Sequence, residues 1–153
     1  PLLAVDRFSF SVLLEGPLPE VELEVLRRVD RLNDLKVAPV MSGREVLEYV
    51  ELARRVYVSE HVRRYIVDLV EHVRKAEEVE AKPSTRAALW MLKGARALAL
   101  LKGRAYVLPD DVKWIAPFAL RHRIAVKPEY AWDGVSPEHI IRRALEEVEV
   151  PKL

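Results

Sequence analysis

Residues 82–124, KPSTRAALWMLKGARALALLKGRAYVLPDDVKWIAPFALRHRI, read as two consecutive helices. Ser84 is placed to cap the first, and Ala87, Trp90, Met91, Gly94, Leu98 and Leu101 recur behind it at helical spacing. Gly94 in mid-helix costs about 1 kcal/mol against alanine, which predicts a close helix approach at that point. Lys102-Gly103 ends the helix. Leu108-Pro109-Asp110-Asp111 opens the second, with proline in the first turn and two acids on the positive end of the dipole. Arg121-His122-Arg123 closes it. Cations there complement the negative end of the dipole, a cheaper explanation of the triplet than a phosphate contact. Arg86 is the awkward residue. A helix N-terminus carries roughly +0.5 of a charge, so a cation in the first turn forfeits about 0.3–1 kcal/mol. Arg86 is therefore either a solvated surface arginine or one side of an anion site whose other side is the helix N-terminus with Ser84.

Working outward, residues 124–132 read as irregular chain or a short strand, and a last helix follows Ser136-Pro137-Glu138 to about Val148. Upstream, Ser59 starts a helix carrying Val62, Tyr65, Ile66, Leu69, Val70 and Val73, which fades into a charged, solvated run over 74–80. Ser42 with Glu45 three residues on is a capping box, followed by Val46, Leu47, Val50 and Ala53. Pro19 opens a further helix with Val21, Leu23, Val25, Leu26 and Val29. It ends at Asn33 and the Val37-Ala38-Pro39-Val40 stretch.

Residues 8–14 are different. Phe8, Phe10, Val12 and Leu14 alternate at a two-residue period, which predicts a strand ended by Gly16-Pro17-Leu18-Pro19. A lone strand has two unpaired edges and no stability of its own, so its sheet is expected elsewhere. With Pro1 in place of a starting methionine, this predicts that the chain is the tail of a longer protein. The expected fold class is all-α, a bundle of five to six helices over residues 17–153 preceded by one residual β-strand within residues 1–16.

The chain has 153 residues, enough for one domain with a core. Half are hydrophobic and 32% charged, and 25 basic against 24 acidic residues leave a net charge of +1. That balance argues against a nonspecific nucleic-acid or membrane binder. No cysteine is present, which removes disulfides, thiolate catalysis and thiolate metal sites. No apolar run reaches the ~18 residues of a membrane span, and the cytoplasm is the expected location. None of the five glycines begins a lysine-ended phosphate loop, GxxxxGK(S/T), and no Walker B aspartate follows a buried strand. His61, His72, His122 and His139 lack metal-ligand spacing, so no metal is expected. Trp90, Trp114 and Trp132 are expected in the core or at domain contacts, and an Asp6–Arg7 ion pair is the default reading of that dipeptide.

The chain resembles the C-terminal part of MoxR-type AAA+ ATPases. The segment from Pro1 to Asp6-Arg7-Phe8 is similar to that family's segment ending in Asp-Arg-Phe, and Ser84-Thr85-Arg86-Ala87 resembles its Gly-Ala-Ser-Pro-Arg-Ala. The match is densest from Arg86 to Ile124, through Arg96-Ala97-Leu98-Ala99-Leu100-Leu101-Lys102-Gly103-Arg104, then Tyr106-Val107-Leu108-Pro109-Asp110-Asp111-Val112, and Leu120-Arg121-His122-Arg123-Ile124. Lys82 stands where the family has glycine, and Thr85 replaces its proline.

The resemblance implies the last core strand of an ATPase (1–16) followed by its helical lid (17–153). It implies that Arg7 is an arginine finger acting in trans on the neighbouring subunit's nucleotide. Arg86 becomes the sensor 2 arginine acting in cis, with Ser84 beside it. ATP and Mg2+ are then ligands of a longer parent that remodels or matures partner proteins. Its partners are its own core, neighbouring subunits of a homo-oligomeric, hexameric ring, and proteins bearing von Willebrand factor A domains. The chain alone, lacking Walker A and B motifs, is expected to be inactive and to hold no cofactor. Two other readings are a stand-alone helical interaction module and a nucleic-acid-binding domain using Arg121, Arg123, Arg142 and Arg143.

Overall fold

The computed structural model describes residues 2–34 and 36–152; Pro1, where the family-like segment begins, lies outside them. In chain order the elements are α1 (Leu2–Val5), α2 (Pro19–Arg27), a 3-10 turn (Val29–Asp34), α3 (Gly43–Arg55), α4 (Glu60–Lys75), β1 (Val79–Ala81) and α5 (Thr85–Leu101). They continue with α6 (Pro109–Leu120), a second 3-10 turn (Arg121–Arg123), β2 (Ala125–Val126), α7 (Pro128–Trp132) and α8 (Pro137–Glu147). The fold is a helical bundle with a two-stranded ribbon at one end, in keeping with the all-α expectation.

Local sequence sets the helix starts. Ser42 accepts from the Glu45 amide while the Glu45 carboxylate accepts from the Ser42 amide, a reciprocal capping box. Ser59 accepts from the Val62 amide. Such caps are worth about 1 kcal/mol each, because the first-turn amides have no helical acceptor. Asp111 accepts from the Leu108 amide and so satisfies the entry to α6, where leucine at the cap position cannot.

The core lies among α4, α5, α6 and α8. The α4 stripe of Val62, Tyr65, Ile66, Leu69, Val70 and Val73 is buried as its spacing predicts. It meets Val112, Ile115, Ala116, Ala119 and Leu120 of α6 and Ile140, Ile141 and Ala144 of α8. Each large side chain removed from water contributes about 1.5–3 kcal/mol against the chain entropy it loses.

On α5 the buried face is rotated from the expected one. Ala87, Met91, Gly94, Ala95 and Ala99 face the core, whereas Leu101 is exposed and Trp90 and Leu98 are half-buried. Small side chains let α5 approach α6 closely, and a Cβ at Gly94 would lie 3.0 Å from Ile115. Close packing, rather than side-chain size, selects the face.

Residues 8–14, expected as a strand whose sheet lies elsewhere, form no β-ladder among the described residues. They run as an irregular strap, with the Ser11 amide donating to the Phe118 carbonyl. Phe10 rests edge-on against Trp90 with its ring tip over Gly94, while Phe8, Val12, Leu13 and Leu14 stay exposed. Alternation makes a strand only beside a partner edge, and none of the described elements offers one. The ribbon forms elsewhere, inside the run read as solvated: β1 pairs antiparallel with β2, Val79 opposite Val126 and Ala81 opposite Ala125. Glu78 there is held by Arg143 of α8 at 2.7 and 2.9 Å.

The tryptophans were expected in the core or at domain contacts. Trp114 and Trp132 are exposed, Trp132 at 90%, so neither belongs to this core. The apolar rows of α2 and α3, among them Val21, Leu26, Val46 and Leu47, are likewise exposed.

Candidate functional site

The N-terminal segment meets the start of α5 at Asp6. After α1 the chain turns, with the Arg7 amide donating to the Ala4 carbonyl and the Phe8 amide to the Val5 carbonyl. The Asp6 carboxylate lands at the N-terminus of α5. Ser84 Oγ donates to it at 3.0 Å and accepts from the Arg86 amide at 3.2 Å. Arg86 Nη1 donates to Asp6 Oδ2 at 3.1 Å, and Arg123 Nε donates to Oδ1 at 2.9 Å. The awkward cation in the first turn thus has an anion beside it, supplied by the chain itself. Carboxylate at a positive helix end and between two guanidiniums is favourable on both counts. Burial on its own would raise the Asp6 carboxyl, but the hydrogen bonds from Arg86, Ser84 and Arg123 hold it below the ordinary value.

Arg123 lies at the other wall. It is 1% exposed, and its guanidinium reaches across to the N-terminal segment. Nη2 donates to the carbonyls of Asp6 (3.0 Å) and Phe8 (2.6 Å), and Nη1 to those of Ser9 (3.2 Å) and Ala119. His122 adds a contact from Nε2 to the Phe8 carbonyl at 3.0 Å. Burial lowers the His122 pKa despite that bond, and the Arg123 charge lowers it further, so the neutral ring is favoured and donates to Phe8.

Of the sequence-predicted site residues, the structure brings Ser84 and Arg86 together with the Asp6-Arg7 dipeptide. Arg86 is half exposed, with its side chain at 55%, so its guanidinium has room to change partners. Arg7 is exposed and forms no ion pair with the described residues. The expected Asp6–Arg7 pair is corrected: Asp6 turns to Arg86 and Arg123, because both guanidiniums reach its carboxylate.

Sequence reasoning named Asp6 and Arg123 but missed that they bond to each other and to the site. The basic triplet at the end of α6 was explained by the helix dipole, and nothing local distinguishes its third member from the first. Arg121 pairs with Glu138, and Arg143 with Glu78. Three of the four arginines invoked for nucleic-acid binding are therefore already engaged with carboxylates. Among the described residues no three His, Asp or Glu side chains gather as a metal site. No helix among them is long and apolar enough to cross a membrane.

Residues 71–144 match the AAA lid domain family. Along 99% of its length the chain is 32% identical to the YeaC protein of Bacillus subtilis, covering 48% of that protein. It is 33% identical to the chaperone MoxR1 of Mycobacterium tuberculosis over 97% of this chain and 41% of that one. A crystal structure described as an ATPase from Cytophaga hutchinsonii superposes with a TM-score of 0.86 at 34% identity, over 99% of this chain and 49% of that one. The chain thus spans about half the length of the relatives it matches.

Proposed function

Because the chain belongs to the MoxR-type AAA+ family and carries its helical lid, we propose that it is the lid-bearing part of a chaperone-like ATPase that hydrolyses ATP to remodel or mature partner proteins. The reading rests on one observation: Arg86, half exposed at a helix N-terminus, is bonded to Asp6, the residue directly before the exposed Arg7.

Arg86, with Ser84, has the donors and the position to hold the terminal phosphate of a nucleotide bound by the same subunit. A charge-assisted bond of this kind is roughly twice as strong as a neutral one. Arg7 points outward and is assigned the trans role, stabilising charge on the phosphoryl group in the neighbouring subunit. Arginine fingers of this kind are worth about 10³–10⁵ in rate. ATP with Mg2+ supplies the phosphoryl group in this reading. The sequence holds neither the phosphate loop nor the Walker B aspartate, so the metal's ligands are assigned to the rest of the parent.

Residues 1–16 are then the end of the ATPase core and 17–153 the lid. The parent is a cytoplasmic homo-oligomeric ring, hexameric in this reading, acting on proteins with von Willebrand factor A domains. The exposed apolar rows of α2 and α3 support contact with further protein surface.

The test is steady-state hydrolysis by the complete protein with Arg7→Ala or Arg86→Ala, alone and mixed with P-loop-dead subunits. P-loop-dead subunits that retain Arg7 restore hydrolysis to Arg7→Ala subunits, because the finger comes from the neighbour. The same mixing fails for Arg86→Ala, which disables its own site. Wild-type rates in both variants would sink the reading.

A further inference from the structure

Arg123 is a buried cation whose donors are fully spent. A guanidinium has five N–H groups. In Arg123 they meet five acceptors: the Asp6 carboxylate and the carbonyls of Asp6, Phe8, Ser9 and Ala119. Packing alone does not call for this. Apolar residues of similar volume fill a core at least as cheaply as a buried ion pair. Four of the five acceptors lie on the N-terminal segment. Two of them, the carbonyls of Asp6 and Phe8, belong to the residues directly before and after Arg7. The neighbouring His122 holds the Phe8 carbonyl a second time.

We propose that Arg123, assisted by His122, is the positioning residue of Arg7: it fastens the backbone on both sides of the finger to the end of α6, so that Arg7 travels with the lid of its own subunit. The proposal rests on the reading of Arg7 as a trans-acting arginine. Its consequence is mechanical. Asp6 is bonded to Arg123 on one side and to Ser84 and Arg86 on the other. Arg86 and the backbone of Arg7 are therefore tied to one anchored aspartate. A lid displacement that begins at Arg86 carries the Arg7 backbone with it, because the four bonds from Arg123 and the one from His122 must otherwise break.

The test uses the complete ring-forming protein. Arg123→Lys keeps the charge and loses the fork. Its kcat is expected to fall about 10- to 100-fold, the cost of displacing a positioned group by roughly 1 Å, with the KM for ATP unchanged. In rings mixed with P-loop-dead subunits, the loss follows the same trans rule as Arg7→Ala, and lysine's residual donors leave more activity than Arg123→Ala does. His122→Ala removes only the second hold on Phe8 and leaves Arg86 untouched. It is expected to lower kcat about threefold in trans, and it decides the question should Arg123→Lys fail to fold. Wild-type kcat in the folded variants, or a loss confined to the variant's own site with a raised KM, overturns the proposal. Failure of the finger reading is seen separately, as a wild-type rate in Arg7→Ala.

Discussion

Asp6 Oδ2 lies 3.1 Å from Nη1 of Arg86, a residue 80 positions away in sequence. This pair joins the N-terminal segment to the first turn of α5. The two arginines on Asp6 are not equivalent, since Arg86 is half exposed and Arg123 is buried. A double-mutant cycle by urea unfolding should give about 0.2–1 kcal/mol for Asp6 with Arg86, the range of exposed pairs. Asp6 with Arg123 should give more, about 1.5–3 kcal/mol. Asp6 titrates below its ordinary value, so its contribution is complete above pH 3.8 and fades as pH falls further. Equal couplings would contradict the picture of a releasable Arg86 on an anchored aspartate.

Glu78 and Arg143 make the acid-sensitive joint. Arg143 holds the Glu78 carboxyl down at about 2, against an ordinary 4.5. A depressed carboxyl stabilises the fold above its unfolded pKa and loses that contribution as pH falls towards its folded one. The window is therefore pH 4.5 down to about 2. Discounted for the exposure of Arg143, the contribution is about 1–2 kcal/mol. Thermal unfolding of Glu78→Gln should lie below wild type at pH 7 and converge on it near pH 2.

Asp111 is buried, with Arg104 on both of its oxygens at 2.6 and 2.8 Å and Lys102 at 3.4 Å. Burial would raise its carboxyl, yet the Arg104 fork and the Leu108 amide keep it below the ordinary value. Without Arg104 the buried carboxylate keeps only Lys102 and the Leu108 amide, so Arg104→Ala should cost about 1.5–3 kcal/mol in urea unfolding. Replacing both by a packed apolar pair should cost much less. A loss below about 1 kcal/mol in Arg104→Ala would mean that water reaches Asp111.

At Gly94 two effects of opposite sign compete. Alanine is the better helix former by about 1 kcal/mol. Its Cβ, however, would lie 2.9 Å from the Phe10 ring tip and 3.0 Å from Ile115. Overpacking costs about 1–3 kcal/mol, so Gly94→Ala should be net destabilising. Shortening Phe10 removes one of the two clashes, and the penalty should shrink in a Phe10→Ala background. Stabilisation by Gly94→Ala alone would show that the Phe10 strap is loosely held.

Much of the bundle was legible because its signals are local. Ser42, Ser59 and Ser84 announce helix starts within three residues of themselves, and the α4 stripe needs only the helical period. Arg86 was legible as a cation at a helix N-terminus, but its role, and Arg7 altogether, only through family resemblance, since one exposed arginine looks like another. The alternation over 8–14 forms no ladder here, because alternation describes a side-chain pattern whereas a ladder requires a neighbouring edge. The run over 74–80 was misread for the converse reason: its charges are half of an ion pair whose other half, Arg143, sits on α8.

By itself, the sequence determined where the longer helices begin, which α4 side chains leave water, and that this chain holds no phosphate loop. These depend on hydrogen bonds and periodicities spanning a few residues. The short α1 and α7 were not among its readings. Tertiary structure alone decided that Asp6 is the anion beside Arg86, that Arg123 is buried around the backbone of Arg7, and which face of α5 turns inward. Each of those outcomes depends on distance between segments as much as 117 residues apart. Electrostatic and packing energies act across space, and only the folded chain sets those distances.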